Sequence, residues 1–230
     1  MRTGVTIFPG SNCDRDIIDA LYKITGKKPL KLWHKDNEVP NLDLIVIPGG
    51  FSFGDYLRCG ALAARSPIIK NIKNHISRGG AVLGICNGFQ ILIESQLLPG
   101  SLIRNKNLLF TCVDTTLEVQ DTIPSPFLSG FKQGTFLKIP VAHNEGNFFA
   151  SREIINELEN DGRIAFKYKK LLDNETNYNP NGSRNDIAGI LSKNGKVLGM
   201  MPHPERAISS FHGNTDGLLF LKTSIEQIIG

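Results

Sequence analysis

The segment Arg78-Gly79-Gly80-Ala81-Val82-Leu83-Gly84-Ile85-Cys86-Asn87-Gly88-Phe89-Gln90-Ile91-Leu92 decides how this chain is read. An apolar strand from Ala81 to Ile85 runs into Cys86, and a helix carrying Phe89, Ile91, Leu92 and Ile93 leaves it. Gly84 and Gly88 stand two residues to either side of the cysteine. This is the G-x-nucleophile-x-G elbow, with sulfur in place of the serine hydroxyl. So sharp a strand-to-helix turn strains the backbone and leaves no room for Cβ atoms at the flanking positions. The positive end of the helix points at the sulfur and favours the anionic thiolate, the form that attacks. For this segment alone, a buried cysteine closing a core strand is the plainer alternative.

Working outward toward the N-terminus, β-α repetition is legible. Thr3 to Phe8 reads as a strand, Pro9-Gly10-Ser11-Asn12 as a turn, and Asp14 to Ile24 as a helix that Gly26 ends. The inward face of that helix carries Ile17, Ile18, Leu21 and Ile24. Pro29 to Trp33 and Leu42 to Ile47 are further strands, the latter almost wholly apolar. Phe51 to Cys59 is a loop, and a helix through Ile68, Ile69, Ile72 and Ile76 leads to the elbow strand. Continuous apolar strands alternating with helices predict an α/β fold, an open and mostly parallel doubly wound sheet covered on both faces. Ligands bind outside the carboxyl ends of such strands, where both Gly49-Gly50 and Cys86 fall.

The second half is less regular and predicts a small antiparallel portion. Leu108 to Val119 and Phe136 to Ala142 read as strands, with Pro124 and Pro126 between them. Ser151 is a helix N-cap candidate. Asn174 to Asn185 is a polar loop. Ile187 to Leu191 and Val197 to Met201 form a hairpin about Lys193-Asn194-Gly195-Lys196, and a last helix runs from about Asn214 to Ile229.

Composition narrows the class. The 230 residues are 40% hydrophobic and 21% charged, which fits an ordinary globular chain with a full core. The formal net charge of +4 is spread over scattered lysines and arginines, so no nucleic-acid surface is expected. No apolar run has the length of a membrane helix and no signal segment precedes the first strand, which gives the expectation of a cytoplasmic protein. Cys13, Cys59, Cys86 and Cys112 are widely spaced, which suits a reducing compartment and neither a zinc cluster nor a disulfide framework. His34, His75 and His212 show no ligand-like spacing, so no metal is expected. Neither G-x-x-x-x-G-K-[ST] nor a G-x-G-x-x-G after the first strand is present, so ATP chemistry is not expected inside this chain.

Pro202-His203-Pro204-Glu205 is the second candidate for chemistry. A cysteine nucleophile needs a base that takes its proton and returns it to the leaving group, and imidazole suits both tasks. The base needs a third group to hold its tautomer. In an extended segment His203 and Glu205, two apart, start on one face.

Gly84-Ile85-Cys86-Asn87-Gly88-Phe89-Gln90 followed late by His203-Pro204-Glu205 resembles the class I, triad-type glutamine amidotransferases, whose fold is flavodoxin-like. Several other segments resemble, within that class, the glutaminase subunits of phosphoribosylformylglycinamidine synthases. They are Phe8-Pro9-Gly10-Ser11-Asn12-Cys13-Asp14, Pro48-Gly49-Gly50-Phe51-Ser52-Phe53-Gly54-Asp55-Tyr56-Leu57-Arg58, His143-Asn144-Glu145-Gly146, Asn179-Pro180-Asn181-Gly182-Ser183 and Gly199-Met200-Met201 before the histidine. Together they reach from the N-terminus to Arg206 and imply one glutaminase domain over residues 1–230, at the length of a separate subunit.

The resemblance implies that Cys86 attacks the side-chain amide of glutamine, that His203 is general base and acid, and that Glu205 orients it. It implies that the backbone N–H groups of Gly50 and Asn87 face the oxyanion, and that Gln90, His143 and Asn144 contact the substrate. It implies two partners, a large synthetase subunit that activates formylglycinamide ribonucleotide with ATP and magnesium, and a small accessory subunit. Asp55 and Arg58 could dock the synthetase or gate the pocket, or could form a salt bridge within their loop. Cys13 and Cys59 fall near the same sheet edge without the elbow frame, and Cys112 reads as core. The alternatives are a glutaminase serving another synthetase, a cysteine hydrolase on a related sheet, and a binding module that has lost catalysis. The hydrolases place histidine directly after the cysteine, where this chain has Asn87.

Overall fold

The computed structural model describes residues 1–170 and 178–230. Their strands join into one nine-stranded sheet. In chain order these are β1 (Thr3–Ile7), β2 (Leu30–Trp33), β3 (Leu44–Ile47), β4 (Ala81–Ile85), β6 (Thr111–Val119), β7 (Phe136–His143), β9 (Ile164–Tyr168), β10 (Ile187–Leu191) and β11 (Val197–Met200). Strands β5 (Ser101–Ile103) and β8 (Asn147–Phe149) make a separate antiparallel pair. Across the sheet the order is β2-β1-β3-β4-β11-β10-β9-β6-β7.

From β2 to β11 every pairing is parallel, as the continuous apolar runs predict. Every residue of β3, β4 and β11 is buried, so these three strands form the centre of the core. Each fully buried Ile or Leu there stabilises the fold by roughly 1.5–3 kcal/mol. Helices α1 (Asp14–Thr25), α2 (Ile68–Ser77) and α3 (Asn87–Glu94) are the crossovers, and right-handed connection puts α1 on one face and α2 and α3 on the other. Gly26, at φ 69°, ends α1 with its N–H donated to the carbonyl of Tyr22 at 2.9 Å. Helix α5 (Asp216–Ile229) packs beside α1, and Ser151 caps α4 (Arg152–Asn160) by accepting the N–H of Ile154. No described helix is long and apolar enough to cross a membrane.

The antiparallel part is broader than its sequence suggests, because β9, with only Ile164 to Tyr168 to announce it, inserts between β10 and β6. Strand β6 begins at Thr111 and not at Leu108. Leu108 has φ 59°, Asn105 Nδ2 holds the carbonyl of Leu109 at 2.9 Å, and the apolar Leu108-Leu109-Phe110 run is exposed. Cys112, expected in the core, is exposed. The hairpin β10–β11 is as predicted. The polar loop beginning at Asn174 lies outside the described residues as far as Asn177.

Register positions the site. Ile47 pairs with Gly84 and Ile85 with Met200, so β3, β4 and β11 end together and deliver Gly49-Gly50, Cys86 and His203 to one edge. Strand β6 pairs with β9 only over Leu117–Val119 but with β7 from Thr111 onward. The free end of the β6–β7 ribbon therefore projects past the sheet and brings Ala142 and His143 back to that edge.

Candidate active site

Cys86 sits at φ 50° and ψ −105°, a conformation that costs a non-glycine residue about 1–3 kcal/mol. The surroundings enforce it: its N–H donates to Met200 at 2.8 Å and its carbonyl accepts from Gln90 N–H at 3.1 Å. A Cβ on Gly88 would collide with the carbonyl of Ile47, and one on Gly84 would lie 2.8 Å from the carbonyl of Gly88. Both flanking glycines are therefore required by close approach. The Cys86 sulfur is nearly buried, 3.7 Å from the carbonyl of Ala142.

His203 and Glu205 meet through a turn and not an extended strand. Pro204–Arg206 is a 3₁₀ turn with His203 as its cap, and His203 N–H donates to the carbonyl of Pro140 at 2.8 Å. The turn places Nδ1 of His203 2.7 Å from Oε1 of Glu205, both side chains almost wholly buried. A carboxylate partner makes Nδ1 the protonated nitrogen. Nε2 is buried with no hydrogen-bond partner among the described residues. Burial opposes charge on this imidazole, but the Glu205 carboxylate, then the Cys86 sulfur, outweigh it and raise the His203 pKa well above its ordinary value.

Gly50 has φ 134°, and a Cβ there would lie 2.7 Å from the N of Asn12. The Gly50 N–H has no protein acceptor among the described residues, and Asn87, which opens α3, has no helical carbonyl one turn back. The strand-end loop is fastened by Phe51 N–H to Gly10 at 3.1 Å and Ser52 N–H to the Asn87 side chain at 3.2 Å. Asn87 Nδ2 also donates to Gln90 Oε1 at 2.8 Å and Asp55 Oδ1 at 3.3 Å, and Gln90 Nε2 to the carbonyl of Glu145 at 2.7 Å.

His143 lines the same cavity, but both ring nitrogens are engaged, Nδ1 with Asn105 Oδ1 at 3.1 Å and Nε2 with Asn181 Nδ2 at 3.4 Å. Burial, then the charge of His203, lowers its pKa to about 4. Asn105 also holds the His143 carbonyl and the Gly146 N–H, so this ring and its two asparagines shape the loop that presents Asn144. Neither Asn105 nor the role of Asn181 was foreseen, since a buried asparagine inside a polar stretch gives no periodic signal.

These groups surround a cavity of about 320 Å³ that holds Cys86, Gln90, Asn144 and His203. A larger cavity of about 620 Å³, lined by Ile93, Leu97 and Arg163, lies at the other end of the strands and contains none of the predicted site residues. Cys13, Cys59, Glu145 and Arg206, none of them a predicted site residue, also line the cavity. Cys13, His203 and Glu205 bring potential ligand atoms within 4.8 Å of one another. The Arg206 guanidinium, 3.0 Å from the Cys13 sulfur, already supplies positive charge beside that cluster. Asp55 and Arg58 do not pair with each other: Arg58 makes a two-pronged bond to Glu94 on α3, at 2.9 and 2.5 Å.

Residues 1–217 match the family described as CobB/CobQ-like glutamine amidotransferase domain. The chain belongs to this glutamine amidotransferase family. Within it, the chain is 48% identical over 230 residues to phosphoribosylformylglycinamidine synthase subunit PurQ of Bartonella henselae, covering 100% of both chains. It is 52% identical over 218 residues to the subunit of the same name from Roseobacter denitrificans, covering 94% of each. Among solved structures it is similar to a chain of PurLQS from Thermotoga maritima, with TM-score 0.83, 39% identity and coverage of 99% and 97%. A glutamine amidotransferase carrying these residues on this sheet edge accounts for the elbow, the buried imidazole–carboxylate pair and the cavity between them.

Proposed function

We propose that this glutamine amidotransferase is the glutaminase subunit of phosphoribosylformylglycinamidine synthase, working as one domain over residues 1–230, with Cys86, His203 and Glu205 as its triad. The observation that carries the catalytic reading is the strained Cys86 in one cavity with a buried His203 whose Nε2 has no partner among the described residues and whose Nδ1 is held by Glu205. Nε2 takes the Cys86 proton, and the thiolate attacks the amide carbon of glutamine. The C–O double bond opens to an oxyanion that the N–H groups of Gly50 and Asn87 receive, each donor stabilising the transition state by about 3 kcal/mol. The imidazolium returns its proton to the amide nitrogen, the C–N bond breaks and ammonia leaves, giving a thioester. Water, deprotonated by His203, then attacks; glutamate departs and Cys86 is restored.

Gln90 and the loop carrying Asn144 bound the substrate cavity, and His143 acts by holding that loop. Ammonia passes to a large synthetase subunit, where ATP and magnesium activate formylglycinamide ribonucleotide, with a small accessory subunit in the assembly. The synthetase covers the cavity mouth, where Tyr56 and Leu57 are 73% and 85% exposed and Leu108 and Leu109 follow on the neighbouring segment. We place the chain in the cytoplasm, where the thiols of Cys13, Cys59, Cys86 and Cys112 stay reduced.

Glutamate release from glutamine, by the chain alone and with the synthetase, accessory subunit, ATP and ribonucleotide, tests this reading. Strong stimulation by the mixture, abolished in Cys86→Ala, is expected. Activity indifferent to the partners would reassign the synthetase, and no glutamate from a folded sample in the full mixture would reject the glutaminase.

A further inference from the structure

Asp55 and Glu145 reach the catalytic cavity from different parts of the chain, one after β3 and the other after β7. Both share the cavity wall with the thiol of Cys59. Two carboxylates thus converge on one thiol, which burial, then the charge of Asp55, keeps protonated. Asp55 Oδ1 accepts from Asn87 at 3.3 Å, and among the described residues Glu145 has only the guanidinium of Arg104, 4.0 Å away and mostly exposed, as counter-ion. The pair is short of positive charge, and burial, with the Glu145 charge adding to it, raises the Asp55 pKa above the usual carboxylate value.

The pair is also in the right place. Gln90, one helical turn beyond Cys86, donates to the Glu145 carbonyl and is joined through Asn87 to Asp55, so both acidic residues adjoin Gln90 in the cavity that holds Cys86. A second feature shows that this cavity is built for a ligand: His203, a side chain 1% exposed, lines it, and its Nε2 has no partner among the described residues. With the amide of glutamine at Cys86, the amino-acid end of the molecule lies farther along the cavity. Its ammonium ion cannot be buried there at acceptable cost without an anionic acceptor.

We propose that Asp55 and Glu145 form the subsite that recognises the α-ammonium group of glutamine, and so select the amino acid over other primary amides. This inference rests on the glutaminase reading above. It makes the two residues specificity determinants that touch the substrate, with Cys59 as the neutral spacer between them.

The test compares glutamine with glutaramate, the same molecule without its amino group, in wild type, Asp55→Asn and Glu145→Gln, each assembled with its synthetase partners. Each substitution should lower kcat/KM for glutamine about 10- to 100-fold, the worth of one hydrogen bond to a charged group, chiefly through KM. Turnover of glutaramate should stay within about twofold, since it has no ammonium to lose. A purely structural role would lower both substrates together, and that result, or unchanged discrimination, overturns the proposal. Calorimetric binding in the Cys86→Ala background supplies a second reading that needs no chemistry. Glutamine should bind more tightly than glutaramate, and Glu145→Gln should erase the difference. Discrimination retained in binding while glutamate release is absent would retain the subsite and reject the glutaminase reading; equal binding of the two compounds before substitution would reject the subsite.

Discussion

Nδ1 of His203 lies 2.7 Å from Oε1 of Glu205, and a 3₁₀ turn holds the two side chains together. In the mechanism proposed above, the carboxylate stabilises the imidazolium that forms when Cys86 loses its proton. In Glu205→Gln that charge is gone, so the His203 pKa should fall and its acid form should be lost at lower pH. The alkaline limb of the kcat/KM profile for glutamine should move toward neutral pH, with a loss of about 10²- to 10⁴-fold at the optimum. A pH-rate profile of the two proteins decides it, and an unmoved alkaline limb would contradict the assignment.

His143 and His203 contribute to stability with opposite pH dependence. The folded-state pKa of His143 is about 4, below the ordinary 6.5, so the unfolded chain binds the extra proton first. Stability from its neutral form is full above pH 6.5 and is lost as pH falls toward 4, a total of about 3 kcal/mol. His203 has its pKa raised, so its contribution is full below the ordinary value and fades as pH rises through the folded one. Urea unfolding between pH 7 and 4 should therefore show a smaller loss in His143→Gln than in wild type. Parallel curves would argue against a buried neutral ring.

The parallel half of the fold was legible because its central strands are buried on both faces and read as apolar runs, as Leu44 to Ile47 does. The elbow was legible because Gly84 and Gly88 stand at a fixed spacing about Cys86 between an apolar strand and a helix, although what Gly88 must avoid is the carbonyl of Ile47 on β3. The pairing of His203 with Glu205 was foreseen for a different reason from the one observed, since two residues can also be brought to one side by a tight turn. Strand β9 was missed because Ile164 to Phe166 is too short a run to separate from the end of α4. Asn105 and the role of Asn181 were missed because their positions are set by tertiary contacts between distant segments: Asn105 reaches His143 across 38 positions.

Gly88→Ala should be among the most damaging single-methyl changes in the chain. Its Cβ would meet the Ile47 carbonyl, a backbone atom of the central sheet that cannot rotate away. The expected cost is about 3 kcal/mol, the upper end for overpacking, with loss of glutaminase activity. Gly134→Ala is the control: φ there is 79° with nothing within 4 Å of the added carbon, so only the left-handed conformation is penalised, by about 1 kcal/mol. Denaturant midpoints compare the two, and equal losses would show that the elbow can relax.

Tyr56 and Leu57, between the cavity residues Asp55 and Cys59, are exposed with little to pack against, whereas Arg58 beside them is tied to Glu94. Exposed aliphatic and aromatic side chains add little to the stability of the free chain, so Leu57→Glu should leave its melting temperature within about 2 °C, since surface changes stay near 0.5 kcal/mol. The same substitution would bury a carboxylate against the synthetase and should weaken assembly by 2 kcal/mol or more, on the order of 30-fold. Stimulation of glutamate release at a fixed, low synthetase concentration should fall accordingly and return at high concentration. Stimulation that is normal at every concentration would move the docking face away from this loop, while a depressed maximum at saturation would instead make Leu57 part of the closure that activates the cavity.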